Sequence, residues 1–323
     1  MDSTMANDEK WVELFRKMGI NPRDIEILQT IDLGYLSDVY LISVDGKEYA
    51  VKMYHERYLG TNICMQERQH MMRARKSIPT AVPRTFFCST HTENAFNREI
   101  LVMKRALGIP LTNKGFNDDV FNALVAILKQ LHSTQVNANS TPTHITRIDM
   151  CRRPMIRFLN EHEIIPKQRL LNHLSALQDY YIQNQEAFNR QHTIVHGDLW
   201  WDNILIDNGN VTIVDWLDSD KQDYCRDLAQ LKIGTLNELL NPIESYTYFK
   251  KLLKTYQTTF NDDTVVERMR FHLPLMYLEE AFYLPFTFFP WKMKYQENET
   301  EFKNRFLDYY DRSERSFVNV FAN

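Results

Sequence analysis

Residues 192–216 read HTIVHGDLWWDNILIDNGNVTIVDW, and one turn within this stretch constrains the chain more than any other feature. Asn208-Gly209 separates two short apolar runs, and an Asn-Gly pair in that setting signals a tight hairpin, because both central positions take positive φ. The hairpin folds Ile204 to Asp207 back onto Val211 to Val214, so Asn203 and Asp215 fall at the same end of neighbouring strands. Paired strands lie about 4.8 Å apart, which lets both side-chain oxygens reach one divalent cation. Asp198 stands just upstream in His196-Gly197-Asp198. One short segment thus supplies an imidazole, two carboxylates and a carboxamide.

The patterns on either side differ in kind. Before residue 104, Trp11, Val12, Leu14, Phe15 and Met18 recur at helical spacing over 8–19, and strand-like runs follow at 25–31, 38–44 and 47–54, the last two joined by Asp45-Gly46. A helix is predicted over 62–76, then strands in TFFCST and REILVMK, giving a five-stranded sheet plus a helix. Beyond Gly108, helical patterns at 117–134, 150–163, 167–190, 226–239, 243–259, 264–284 and 298–320 dominate. The chain reads as an α+β protein with two lobes.

Composition narrows the function classes. Hydrophobic residues at 44% and charged residues at 25% suit a folded globular chain, and only 9 Gly and 11 Pro leave little room for disordered linkers. A formal net charge of −4 carries no general basic field, so neither nucleic acid nor an anionic membrane is an expected partner. Cys64, Cys88, Cys151 and Cys225 form no Cys-x-x-Cys pair, which points to a reducing cytoplasm rather than a disulfide framework. The acidic residues in MDSTMANDEKWVELF do not suit a signal peptide, and no 18-residue apolar stretch occurs; export and membrane spanning are not expected.

HGDLWWDNIL, taken with VDW, resembles the aminoglycoside phosphotransferase and choline kinase family, distant relatives of protein kinases. The resemblance implies a protein-kinase-like fold: a small β-rich N-terminal lobe (1–103), a hinge (104–108) and a larger, mostly helical lobe (109–323) carrying the catalytic loop and the acceptor-binding helices. It implies ATP and Mg²⁺ as cofactors and transfer of the γ-phosphate to a hydroxyl of a small molecule such as an aminoglycoside, amino sugar or choline-like amino alcohol. Such transfer needs little covalent chemistry from the protein: a carboxylate at the acceptor hydroxyl, oxygen ligands for the metal and a cation on the phosphates.

By resemblance, Asp198 is the catalytic base, Asn203 and Asp215 bind the metal, and His196 braces the loop. Lys52 in Ala50-Val51-Lys52 is then the phosphate-binding lysine of the third strand, where alternation puts Ala50 and Lys52 on one face, Ala50 against adenine. Glu67, on one helical face with Ile63, His70 and Met71, is its expected partner. In place of a glycine-rich phosphate loop stands IDLGYLSDVY, with Gly34 and with Leu36 and Ser37 as phosphate contacts. Met103, Lys104, Arg105 and Ala106 form the adenine-binding hinge, whose backbone contacts suit ATP and leave GTP open, with Gly108 as pivot. Asp227 in CRDLAQL reads as a helix N-cap and, by resemblance, also as a support of the catalytic loop, two roles that are compatible.

The acceptor side is less specific. Asp218, Asp220 and Asp223 either face a cationic acceptor or solvate their loop. Residues 276–295 gather aromatics, Tyr283 among them, around Glu279 and Glu280; this composition suits both helix packing and a cage for an amine. Trp200 is expected beneath the catalytic loop and Trp201 at the acceptor. A protein Ser/Thr kinase is the competing reading, weakened because no Ala-Pro-Glu element follows Asp215. A catalytically silent nucleotide-binding pseudokinase is a third, although Lys52, Glu67, Asp198, Asn203 and Asp215 are all in place.

Overall fold

The computed structural model describes residues 2–31, 36–112, 114–134, 144–190, 192–283 and 299–321. In chain order the elements are α1 (Asp2–Lys17), β1 (Ile25–Ile31), β2 (Ser37–Val44), β3 (Lys47–Tyr54), α2 (Ile63–Arg75), β4 (Thr85–Ser89), β5 (Ile100–Lys104), β6 (Ile109–Pro110) and α3 (Asp118–His132). Then come α4 (His144–His162), α5 (Lys167–Gln183), α6 (Gln185–Phe188), β7 (Thr193–Val195), β8 (Ile204–Asp207), β9 (Asn210–Ile213), β10 (Asp220–Gln222) and α7 (Cys225–Leu231). A π-helical turn, Lys232–Leu236, leads into α8 (Asn237–Leu239), α9 (Pro242–Phe260), α10 (Val265–Tyr283) and α11 (Glu299–Val318). The chain forms two compact units: Met1–Leu131 with Asp202–Ser219, and His132–Trp201 with Asp220–Asn323.

The first unit is built on an antiparallel sheet ordered β1-β2-β3-β5-β4. Asp45 (φ 50°) and Gly46 (φ 75°) make the turn between β2 and β3, which pair from Val44↔Lys47 to Ser37↔Tyr54. One sheet face buries Ile42, Val44, Tyr49, Val51 and Met53 against Trp11, Leu14 and Phe15 of α1. Each such side chain contributes about 1.5–3 kcal/mol by leaving water. Since side chains alternate along a strand, Ala50, Lys52 and Tyr54 point to the opposite face.

That opposite face receives α2, whose buried residues Ile63, Cys64, Glu67, Met71 and Ala74 recur at helical spacing. The buried carboxylate of Glu99 holds its N-terminus, accepting the Asn62 N–H (2.9 Å) and the Cys64 N–H (3.2 Å). These amides have no partner within the helix, and an anion there also complements the helix dipole.

The same unit contains a three-stranded sheet ordered β6-β8-β9. Asn208 (φ 48°) and Gly209 (φ 81°) form its hairpin, and Ile204 pairs with Ile213. Gly108 has φ 105°, and a Cβ there would lie 2.4 Å from the Ile206 carbonyl oxygen. Glycine is required by that close backbone approach as well as by the dihedral.

The second unit is mainly helical. Its core joins Met155, Phe158 and Leu159 of α4, Leu170, Leu174 and Leu177 of α5, Phe271, Leu275, Leu278 and Phe282 of α10, and Phe306 and Tyr310 of α11. Every residue of α10 from Phe271 to Leu278 is buried, consistent with its lack of a polar face. Within the 276–295 segment, the described apolar residues through Phe282 are therefore packing residues; the Tyr283 side chain and residues 284–298 lie outside the described residues. β7 and β10 pair from Thr193↔Gln222 to Val195↔Asp220. Among the described residues, no helix is long and apolar enough to cross a membrane.

Gly108→Ala is expected to lower the free energy of unfolding by about 2–4 kcal/mol, combining backbone strain with overpacking against Ile206. Urea titration checks this; an unchanged midpoint contradicts the close approach.

Candidate active site

In the first unit, three segments remote in sequence meet at Lys52. Its Nζ donates to Glu67 Oε2 at 2.9 Å and to Asp215 Oδ1 at 2.8 Å, and its side chain is only 5% exposed. Burial disfavours the ammonium, but the charges of Asp215 and then Glu67 outweigh it and hold the lysine above its ordinary pKa. The Tyr54 hydroxyl also donates to Glu67 Oε2, and its ring lies 5.4 Å from the ammonium. Glu67 Oε1 takes the Trp216 backbone N–H at 3.3 Å.

Asp215 is placed by the hairpin before it. Val214 N–H donates to the Asn203 carbonyl at 3.0 Å, which sets Asn203 beside the residue preceding Asp215. Ile213 N–H donates to Ala81 O at 2.8 Å, and His70 Nδ1 lies 3.0 Å from both the Trp216 and Leu217 carbonyls. Asp215 itself has φ 60°, a left-handed conformation costly for a residue with a Cβ and concentrated at functional sites. Its side chain is 38% exposed. A magnesium ion takes one or two protein oxygens and fills its octahedron with water and phosphate, so Asn203 and Asp215 suit it as a donor set.

In the second unit, the loop carrying Asp198 is fastened at both ends. At its start, Asp227 Oδ2 accepts the His196 N–H (2.8 Å) and Oδ1 accepts the Gly197 N–H (2.8 Å). Gly197 has φ 84°, a dihedral that favours glycine. His132 Nε2 donates to Asp227 at 3.0 Å, and its Nδ1 lies 2.8 Å from the Tyr256 hydroxyl. Burial opposes the Asp227 charge, but the hydrogen bond and charge of His132, with the loop's N–H groups, hold its pKa below the usual carboxylate value. The buried His196 Nδ1 accepts the Asp198 N–H at 3.2 Å.

At the loop's other end, Thr235 Oγ1 donates to Leu199 O at 2.9 Å, and Trp200 packs on Gly234, where a Cβ would lie 2.8 Å from Trp200 Cδ2. Both contacts come from the π-helical turn, an irregularity frequent at functional sites. The N-cap reading of Asp227 is corrected: it is the third residue of α7, and its carboxylate serves the loop instead.

Other candidates are placed as follows. Ala50 pairs with Met103 on one side and Leu41 on the other, while Lys104 is exposed and its N–H donates to Arg84 O at 2.8 Å. Arg105 Nη1 pairs with Glu48 at 3.1 Å, and Ala106 is half-buried. Ser37 is buried opposite Tyr54, and Leu36 O accepts the His55 N–H. Gly34 lies outside the described residues. Asp218 is exposed; Trp201, Asp220 and Glu280 are half-buried. Asp223 neither faces an acceptor nor solvates a loop: it is buried in ion pairs with Arg268 and His272. Glu279 is held by Arg147 through both carboxylate oxygens, Nε to Oε1 at 2.7 Å.

The sequence pattern of the APH group, described as the phosphotransferase enzyme family, matches residues 27–247. The chain belongs to this family. The phosphotransferase has no match among curated proteins at the sequence level. In structure it is similar to a Plasmodium vivax ethanolamine kinase, with 15% identity, TM-score 0.65 and coverage of 97% of this chain and 89% of that one. It is likewise similar to a choline kinase from Cryptosporidium parvum (15%, TM-score 0.64, 97% of each chain) and to an ADP-bound aminoglycoside phosphotransferase APH(2'')-Ib (15%, TM-score 0.62, 98% and 99%). These likenesses establish the kinase-like fold of the phosphotransferase: a β-sheet N-terminal region and a helical C-terminal part.

Within each unit, some of these groups escape a sequence reading. Tyr54, Glu99, His132, Thr235 and Tyr256 carry no spacing signal, because each meets its partner only after folding.

Asp227→Asn is expected to lower stability by about 3 kcal/mol or more at pH 7, since an amide cannot accept every N–H converging there and leaves buried donors unpaired. A depressed carboxylate pKa stabilises above the unfolded value of about 3.9, and the effect is lost as pH falls through the folded value. The difference between wild type and variant should therefore shrink below about pH 4. Denaturant titrations at the two pH values check it; a pH-independent difference contradicts the charged role.

Proposed function

We propose that this phosphotransferase transfers the γ-phosphate of ATP to a hydroxyl of a small molecule, and that it works in the cytoplasm. The observation that carries the reading is the buried Lys52 ammonium shared between Glu67 and Asp215. A lysine held in this way is pre-positioned as a fixed cation for phosphate oxygens. Asn203 and Asp215 would hold Mg²⁺, which when bound neutralises charge on the phosphates. Asp198 orients the acceptor hydroxyl and takes its proton. Its loop is kept rigid by Asp227 and the π-helical turn, so little positioning entropy remains to be lost on binding. Backbone groups of Met103 to Ala106 contact the nucleotide base, as the family resemblance implies.

Nucleotide use is supported by solved structures of similar fold bound to ADP or AMP-PNP. A small acceptor is supported by the similar choline, ethanolamine and aminoglycoside kinases. It is also supported by the short path from Asp215 to α7, which begins at Cys225 and leaves no span for a peptide-docking loop. A cationic amino alcohol or amino sugar is the acceptor class we test first. With Glu279 already neutralised by Arg147, its recognition falls to Trp201, Asp218, Asp220 and Glu280.

Two outcomes are expected. Asp198→Ala lowers Mg²⁺-dependent phosphate transfer to the best acceptor of an amine and sugar panel by about 10²–10⁴-fold, while ATP still raises the melting temperature. Transfer at the wild-type rate removes Asp198 from the chemistry. Lys52→Ala and Asp215→Ala each diminish the ATP-induced melting shift. Undiminished shifts in both variants would locate nucleotide binding elsewhere.

A further inference from the structure

Outside the residues assigned to phosphate transfer, two thiols meet at the start of α2. Cys64 lies in its first turn, buried, with Sγ 3.6 Å from the Ser89 carbonyl of β4. Cys88, the residue before Ser89, is half-exposed; its Sγ lies 3.7 Å from Arg68 Nη1, one turn further along α2, and abuts the Met65 thioether. Each thiol thus sits against a neighbour of the other. We propose that Cys88 is a peroxide-oxidisable modification site and that Cys64 resolves its oxidised form as an intramolecular disulfide tying α2 to β4.

The chemistry follows from the surroundings. Interaction with Cys64 and the positive charge of Arg68 draw the Cys88 thiol down in pKa against the opposing effect of burial, while the same interaction and burial push Cys64 up. A partly exposed thiolate beside a protonated partner is the arrangement of a redox-sensitive thiol with its resolving cysteine. The Cys88 thiolate attacks one oxygen of hydrogen peroxide, the O–O bond breaks, hydroxide leaves, and Cys88 becomes a sulfenic acid. Cys64 sulfur then attacks the sulfenic sulfur, the S–O bond breaks, and the departing hydroxide takes up the Cys64 proton as water. In sum, two thiols lose two electrons and two protons, and one peroxide becomes two waters.

Cys64 precedes Glu67 by one helical turn, so the cross-link would anchor the turn that presents Glu67 to Lys52. This consequence rests on the proposed nucleotide site; the oxidation itself does not. Cys151 is an internal comparison, its thiol pushed up to about 12 by burial and by the charge of Glu279.

The test exposes the full-length protein to stoichiometric hydrogen peroxide, blocks free thiols and maps the peptides. The expected result is a Cys64–Cys88 cross-linked peptide pair as the main product, reversed by a thiol reductant, with Cys88 consumed about tenfold or more faster than Cys151. In Cys64→Ser, a sulfenic acid should be trappable at Cys88; in Cys88→Ser, Cys64 should stay reduced. Wild-type protein in which Cys88 advances to sulfinic acid with Cys64 free, or reacts no faster than Cys151, overturns the proposal. As a second readout, the ATP-induced melting shift should differ between reduced and cross-linked wild type but not between equally treated Cys88→Ser samples. Equal shifts in cross-linked and reduced wild type refute the coupling to Glu67. An absent shift in reduced protein refutes the nucleotide reading and leaves the peptide map to judge the thiol pair.

Discussion

A lysine ammonium cannot be withdrawn from water alone, and the first unit is organised around meeting that requirement. Transfer of an unpaired charge into a protein interior costs several kcal/mol even after relaxation. Lys52 is carried inward by β3 because its neighbours Val51 and Met53 belong to the face packed on α1. Glu67 and Asp215 must therefore be brought to it from α2 and from the hairpin β8-β9, and both elements are pinned by further bonds. Glu99 fixes the start of α2, while Glu67 reaches on to the Trp216 amide. The charge triad is thus a tie between three chain segments as well as the cation of the proposed phosphate site. Asp215 is held in a left-handed backbone that its own propensity does not favour.

The second unit solves a related problem with the charges reversed. Asp227 is a buried carboxylate whose partners are backbone N–H groups of His196 and Gly197 and the imidazole of His132. Its charge is satisfied by donors that cannot leave, so it fixes the path of the loop into Asp198 more firmly than side-chain packing alone. The π-helical turn after α7 then secures Leu199 and Trp200, so one continuous helical segment supports both ends of the loop. Such a support leaves Asp198 itself half-exposed.

The residues expected at an acceptor illustrate how carboxylates can mislead. Asp223, Glu279 and Asp227 are all acidic residues committed to a protein partner: Arg268 and His272, Arg147, and the loop amides. Acidic side chains in sequence announce a charge but not its counter-ion. The counter-ion here comes from helices distant along the chain, such as α4 for Glu279 and α10 for Asp223.

The strand and helix boundaries of the N-terminal sheet were legible in the sequence because they rest on local physics: alternation at 38–44 and 47–54, and turn residues Asp45-Gly46 and Asn208-Gly209 that need positive φ. The motif HGDLWWDNIL with VDW was legible for the same reason, since a hairpin turns sequence spacing directly into spatial adjacency. What folding alone decided is which distant groups share a charge. That Lys52 lies between Glu67 and Asp215, that Glu99 caps α2, that His132 and Tyr256 stand behind Asp227, and that 202–219 belongs with the N-terminal residues as one compact unit all depend on long-range packing. Local sequence sets the conformation of each piece, whereas the pairing of buried charges is set by the cost of leaving any of them alone, and that cost exists only once the pieces have closed around them.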